Sequence, residues 1–174
     1  MNILEEIRQA NKKPKEMALF LTKKFQQQKP TPKEYRTALE NASKVEQGVL
    51  IETMEFITQE NPSFAKPFLG IIIEYIASPI PKAKWEAARI IGNVIKELPT
   101  QAEKGIPNLL VNTNDQGTVV RWSAAFALGE IIKHHSKIRP KLMPKIEKII
   151  KKEQNSGVKN VYLKAFKEIE KQSS

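Results

Sequence analysis

Trp85 with Arg89 and Trp122 with Phe126 are each spaced four residues apart, so on a helix each pair shares one face. Flat rings and a guanidinium in that arrangement suit binding rather than bond making. Tryptophan and arginine are enriched among residues that dominate interfaces, and exposed large rings leave an apolar patch that a ligand would cover. Lys164 falls at the position of Arg89 and Phe126 in the register given below, and Lys167 follows it one position short of a helical turn. Together these six side chains predict an aromatic and basic surface.

No comparable set predicts catalysis. Asp115 is the only aspartate, and the chain has no cysteine, so thiolate nucleophiles, thiolate metal sites and disulfides are excluded. His134 and His135 are adjacent, a spacing that does not put both on one metal-binding face of a helix. No glycine-rich phosphate loop, paired-carboxylate cleft or nucleophile elbow is present. The expectation is a non-enzyme without metal or cofactor.

The elements that must position these residues form a repeat. KWEAARIIGNVIK (84–96), RWSAAFALGEIIK (121–133) and, more weakly, KNVYLKAFKEIEK (159–171) recur at spacings of 37 and 38 residues. A period of that length marks the stacking of one supersecondary unit that cannot bury its hydrophobic face alone. In register, Ala87, Ala124 and Tyr162 fall together, as do Ile91, Leu128 and Phe166, and then Val94, Ile131 and Ile169, which predicts the core. Gly92 and Gly129 also align. A glycine within a helix costs about 1 kcal/mol relative to alanine, so their presence predicts close approach by a neighbouring helix. Lys167 and Glu170 replace Gly and Ile in the last copy, as a terminal unit facing water requires.

Apolar residues recur at three and four rather than two throughout, and prolines punctuate the chain. Helices are predicted at 2–11, 14–28, 32–43, 45–60, 63–78, 81–98, 103–113, 118–135, 138–154 and 157–171, with Pro14, Pro32, Pro62 and Pro81 at or near their starts. The fold class is all-α and the chain a single domain over 1–174, its first 30 residues a cap that fits the repeat poorly.

The net charge of +10 is uneven: ten Lys/Arg oppose nine acids over 1–60, seven oppose six over 61–132, and twelve oppose four over 133–174. Lys141, Lys145, Lys148 and Lys152 form a stripe opposite Leu142, Ile146 and Ile149, and Lys164, Lys167 and Lys171 form a second. Such a field attracts nucleic acid, acidic protein or an anionic membrane surface. The longest apolar run, Phe68 to Ala77, is too short to span a bilayer and contains Glu74, while Glu5, Glu6 and Arg8 interrupt any signal-peptide core. A cytoplasmic protein without membrane insertion is expected.

The segment IPNLLVNTNDQGTVVRWSAAFALGEII, Ile106 to Ile132, resembles a HEAT repeat, with its early proline and leucines, acidic turn residue, Val-Arg, and then Ala and Leu-Gly. The resemblance implies a right-handed α-α superhelix of about four helical hairpins over 31–171, with second helices lining a concave side. It also implies an acid and a base six residues apart that tie each turn to its second helix and to the adjacent repeat: Asp115 with Arg121, and Glu153 with Lys159, while Ser78 with Lys84 has a neutral partner. On this reading Trp85, Arg89, Trp122, Phe126, Lys164 and Lys167 line the concave groove of an interaction scaffold. The expected ligand is an acidic or amphipathic segment of a partner protein, the aromatic residues anchoring it and the cations selecting acidic neighbours. The alternative is a nucleic-acid-binding protein related in fold to HEAT-like alkylpurine DNA glycosylases, whose aspartate-bearing helix motif is missing here. HEAT-like lyases and chaperones of tetrapyrrole-carrying proteins share the repeats and nothing further.

Overall fold

The computed structural model describes residues 1–174 and contains helices without any strand. They are α1 (Ile3–Ala10), α2 (Pro14–Gln27), α3 (Pro32–Asn41), α4 (Lys44–Glu60), α5 (Leu69–Tyr75), α6 (Pro81–Val94), the short α7 (Pro99–Ala102), α8 (Ile106–Asn112), α9 (Thr118–His134), α10 (Arg139–Lys152) and α11 (Ser156–Ser173). None is long and apolar enough to cross a membrane.

The helix starts follow local chemistry. Thr31 and Ser43 each accept from the backbone amide three residues on, while Glu34 and Glu46 return the bond to the cap amide, so α3 and α4 begin with capping boxes. Asn155 accepts from the Val158 amide at the start of α11. Pro14, Pro32 and Pro81 are the first residues of α2, α3 and α6, where a missing N–H leaves no intrahelical bond unmade.

Two predicted helices are broken, and proline explains both. The segment expected as one helix over 63–78 is a 3-10 stretch, Pro62–Phe68, leading into α5, because Pro67 cannot donate to the carbonyl four residues back. The helix expected over 81–98 ends at Val94, because Pro99 has no N–H to donate to the Ile95 carbonyl and Leu98 before it leaves the helical region, with φ −126° and ψ 52°. The next hairpin consequently enters through α7 and a 3-10 turn, Glu103–Gly105, before α8.

Packing sorts the helices into two sets. In one, α2 lies on α4, α4 on α6, α6 on α9, and α9 on α11, so consecutive members of a row meet side by side. The others back this row: α3, α5, α8 and α10 each pack on the row helix that follows or precedes them. Buried hydrophobic residues from Ile3 to Ile169 form one continuous cluster between the sets. Ala87, Tyr162, Ile91, Leu128, Val94, Ile131 and Ile169 belong to it, and Ala124 is buried as well. Phe166, expected in the core, is only half-buried, because α11 has no further row helix to cover it.

Glycines set the spacing of the row. A Cβ on Gly92 would stand 2.5 Å from the Phe126 ring of α9, and one on Gly129 would stand 3.2 Å from the Ala165 methyl of α11. Gly48 of α4 similarly accommodates the aliphatic stem of Lys82, at 3.0 Å. What approaches Gly92 is therefore a ring rather than a backbone.

Candidate functional site

Helix α9 carries the aromatic pair. Trp122 and Phe126 stack with ring centroids 5.9 Å apart and planes 7° from parallel. Phe126 is half-buried because it sits in the notch at Gly92, and it holds up Trp122, which is 39% exposed. Beside them, a hollow of about 220 Å³ runs from α9 to α11 and is bounded by Lys164, Lys133, Glu130 and Glu168. Lys133 bonds Glu130 on its own helix and Glu168, at 3.1 Å, on α11, so its charge is matched within the protein. Lys164 is exposed and makes no ion pair, which leaves it as the free cation next to the rings. Lys167 faces a neighbouring hollow on α11, shared with Lys164 but not with the aromatic pair.

Trp85 and Arg89, one row helix earlier, have different surroundings. The half-buried Trp85 donates its indole N–H to Glu86 Oε1 at 3.1 Å. Arg89 lies 3.6 Å from Glu55 of α4 and 3.9 Å from Glu86. Arg89, expected to select acidic groups on a ligand, has its guanidinium against two buried carboxylates of this chain. Acids are interleaved with these residues along the row, Glu52, Glu55, Glu86, Glu130 and Glu168 each lying against a cation.

The carboxylate pair is the feature that sequence reasoning missed. Glu55 and Glu86 are 1% and 4% exposed. Glu55 accepts from Gln59 Nε2 at 2.9 Å and from Asn93 Nδ2 at 3.3 Å, whereas Glu86 Oε2 has no hydrogen-bond partner. Burial, reinforced by the negative charge of Glu55, pushes the Glu86 carboxyl up to about 7, against the opposing pull of Arg89 and the Trp85 N–H. In the repeat register Glu86 aligns with Ser123, which is also buried.

The turn acids and helix bases form a ladder across hairpins. Lys84 Nζ bonds Asp115 Oδ2 at 2.8 Å, and Arg121 Nε bonds Glu153 Oε2 at 3.0 Å, each base reaching the acid of the following hairpin. Within its own turn Arg121 donates to the carbonyls of Asp115 and Gln116, at 3.0 and 3.2 Å, and not to the Asp115 carboxylate. The acids are turned away because each accepts the amide two residues ahead: Asp115 from Gly117 at 2.8 Å and Glu153 from Asn155 at 2.9 Å. Ser78 does the same for Ile80 at 3.1 Å without a charge. Glu153 and Lys159, expected to pair, are consequently not joined; Glu153 serves Arg121, and Lys159 has no acidic partner. Burial opposes ionisation of Asp115 and Glu153, yet the bonds from Lys84 and Gly117, and from Asn155 and Arg121, hold both carboxyls below their ordinary range.

No family model and no curated protein matches this chain. Functional inference accordingly rests on the geometry of these surfaces.

The adjacent histidines diverge, His135 Nε2 lying 2.6 Å from Glu103 and His134 Nε2 3.3 Å from Glu130. What the α9 surface offers chemically is a flat apolar platform, one free ammonium, and carboxylates already matched to lysine. Those are means of holding a ligand.

Proposed function

We propose that this chain is a HEAT-like helical-repeat scaffold, a right-handed superhelix whose row α2, α4, α6, α9 and α11 forms the concave side, and that it binds a segment of a partner protein without catalysis. The row stacking and the hairpin-to-hairpin ladder support the repeat reading, because both tie each unit to its nearest neighbours only. The observation that carries the binding reading is the Trp122 and Phe126 stack: two large rings braced from below by the Gly92 notch and open above. A pre-positioned aromatic pair loses little side-chain entropy on binding, which is how rigid rings become anchors. Lys164 favours an acidic residue next to the apolar side chain that covers Trp122. Arg89 and Trp85 support the platform's neighbour helix rather than meeting the ligand.

The test is capture from nuclease-treated lysate with wild type, Trp122→Ala and Trp85→Ala side by side. A protein retained by wild type and Trp85→Ala, but depleted about tenfold by Trp122→Ala, is expected for the loss of one anchor of at least about 1.4 kcal/mol. Equal recovery with all three would sink the proposal.

A further inference from the structure

Helix α10 carries a charged face that the aromatic platform does not use. Lys141, Lys145, Lys148 and Lys152 are all exposed, and none makes an ion pair or donates a side-chain hydrogen bond. At 100° per residue the four lie within an arc of about 60°, on a line about 16 Å long, or about one charge per 5 Å. The one acid of α10, Glu147, is rotated roughly 100° or more away from that line by the same geometry. The inward side of α10 is fixed by buried Leu142 and Ile146, so the stripe cannot turn to the core.

Acids from neighbouring elements do not neutralise it. Asp115 and Glu153 share a hollow with Lys148 and Lys152, but their oxygens are already taken by Lys84 and Arg121 and by turn amides. Elsewhere the cations Lys82, Lys84, Arg89, Arg121 and Lys133 are each matched to a carboxylate of this chain. The stripe is thus a run of unmatched ammonium groups on a helix that backs the row.

We propose that the Lys141, Lys145, Lys148 and Lys152 face of α10 binds the phosphate backbone of a nucleic acid, independently of base sequence. The stripe has charge and no anchor. None of the exposed large hydrophobic residues, Leu19, Val45, Val111, Val119, Trp122 and Leu163, lies on α10, so nothing there inserts into a bilayer. Protein interfaces are anchored by aromatic and arginine side chains, and the stripe contains neither. A line of point charges without base-reading groups matches a polyanion through counterion release alone.

The experiment is fluorescence anisotropy with two labelled duplexes of unrelated sequence, each of about twenty base pairs, titrated with the full chain across a salt series. Four neutralised phosphates predict a log-log salt slope of about −3.6, a loss of about 150-fold between about 50 and 200 mM salt, the same for both duplexes. Lys145→Gln/Lys148→Gln should lower the slope by about 2, while Lys13→Gln/Lys15→Gln, an equal charge change on exposed residues of the opposite end, should leave it unchanged. Equal effects of the two double variants would reduce the binding to net charge and overturn the proposal. So would affinity for polyglutamate, or for vesicles containing phosphatidylserine, that equals the affinity for duplex at the same salt. Circular dichroism of the variants separates loss of contact from loss of fold.

Discussion

Glu86→Gln should stabilise this protein at and above neutral pH and remove most of its sensitivity to pH between about 4.5 and about 7. Glu86 is 4% exposed and has one oxygen without a partner. Its carboxyl titrates at about 7 in the fold against an ordinary 4.5, because burial and the Glu55 charge both disfavour ionisation. The folded chain therefore binds the proton more tightly than the unfolded chain does. Stability is unaffected by this group below about 4.5, declines as pH rises between the two values, and carries the full cost above about 7. At about 1.4 kcal/mol per pH unit between these two values the cost is roughly 3 to 4 kcal/mol. Glutamine keeps the carbonyl that accepts the Trp85 N–H and places no charge beside Glu55. For a chain of this size a gain of about 3 kcal/mol corresponds to a rise of roughly 6 to 12 °C in melting temperature. Thermal melts of wild type and Glu86→Gln from pH 4 to 9 would show two curves that meet near 4.5, separate as pH rises to about 7 and stay a constant distance apart above it. A wild-type melting temperature that stays flat from pH 5.5 to 8.5, or a variant that declines in parallel with it, would refute the reasoning.

The other predictions follow from contacts described above. Gly92→Ala should push the Phe126 ring from its notch, destabilising the fold by about 1–3 kcal/mol as overpacking does, and disturb the tryptophan fluorescence of Trp122 more than distant alanine substitutions. Arg121→Ala leaves Glu153, only 7% exposed, without its cation and should cost about 3 kcal/mol in urea unfolding, whereas Lys159→Ala, which breaks no rung, should cost under about 1 kcal/mol. Tyr162→Phe removes a buried hydroxyl that has no hydrogen-bond partner, so stability should be unchanged or raised; a loss above about 1 kcal/mol would reveal a partner for that oxygen.

Helix positions were legible because they depend on short-range rules: three-and-four periodicity, prolines at first turns and capping residues act within a few residues. The glycine pair at 92 and 129 was legible for a related reason, since an unfavourable residue at a fixed offset needs a compensating contact. Pairings across hairpins were harder. The six-residue spacing placed Asp115, Arg121 and Glu153 at the turns, but not which acid each base reaches, because that depends on the turn amides that claim one carboxylate oxygen first. The Glu55 and Glu86 cluster was illegible from either helix alone. Only the packing of α4 on α6 brings residue 55 to residues 86, 89 and 93, and α4 follows the repeat too loosely for alignment to predict that register. The contacts of Arg89 are hidden for the same reason: a cation on a helix face reads as free until the neighbour's acid is known.

The two rungs of the ladder point the same way. Lys84 meets Asp115 and Arg121 meets Glu153, so the α8–α9 hairpin receives a cation from behind and offers one forward, while Ser78 in the turn before it and Lys159 in the hairpin after it make no such pair. Such head-to-tail polarity makes the middle unit modular. A second copy of residues 116–153 inserted directly after Glu153 would present its own arginine to its own following glutamate while its neighbours kept their partners. The chain could then be lengthened one hairpin at a time without redesigning a single junction, and an inverted unit would set cation against cation and be rejected.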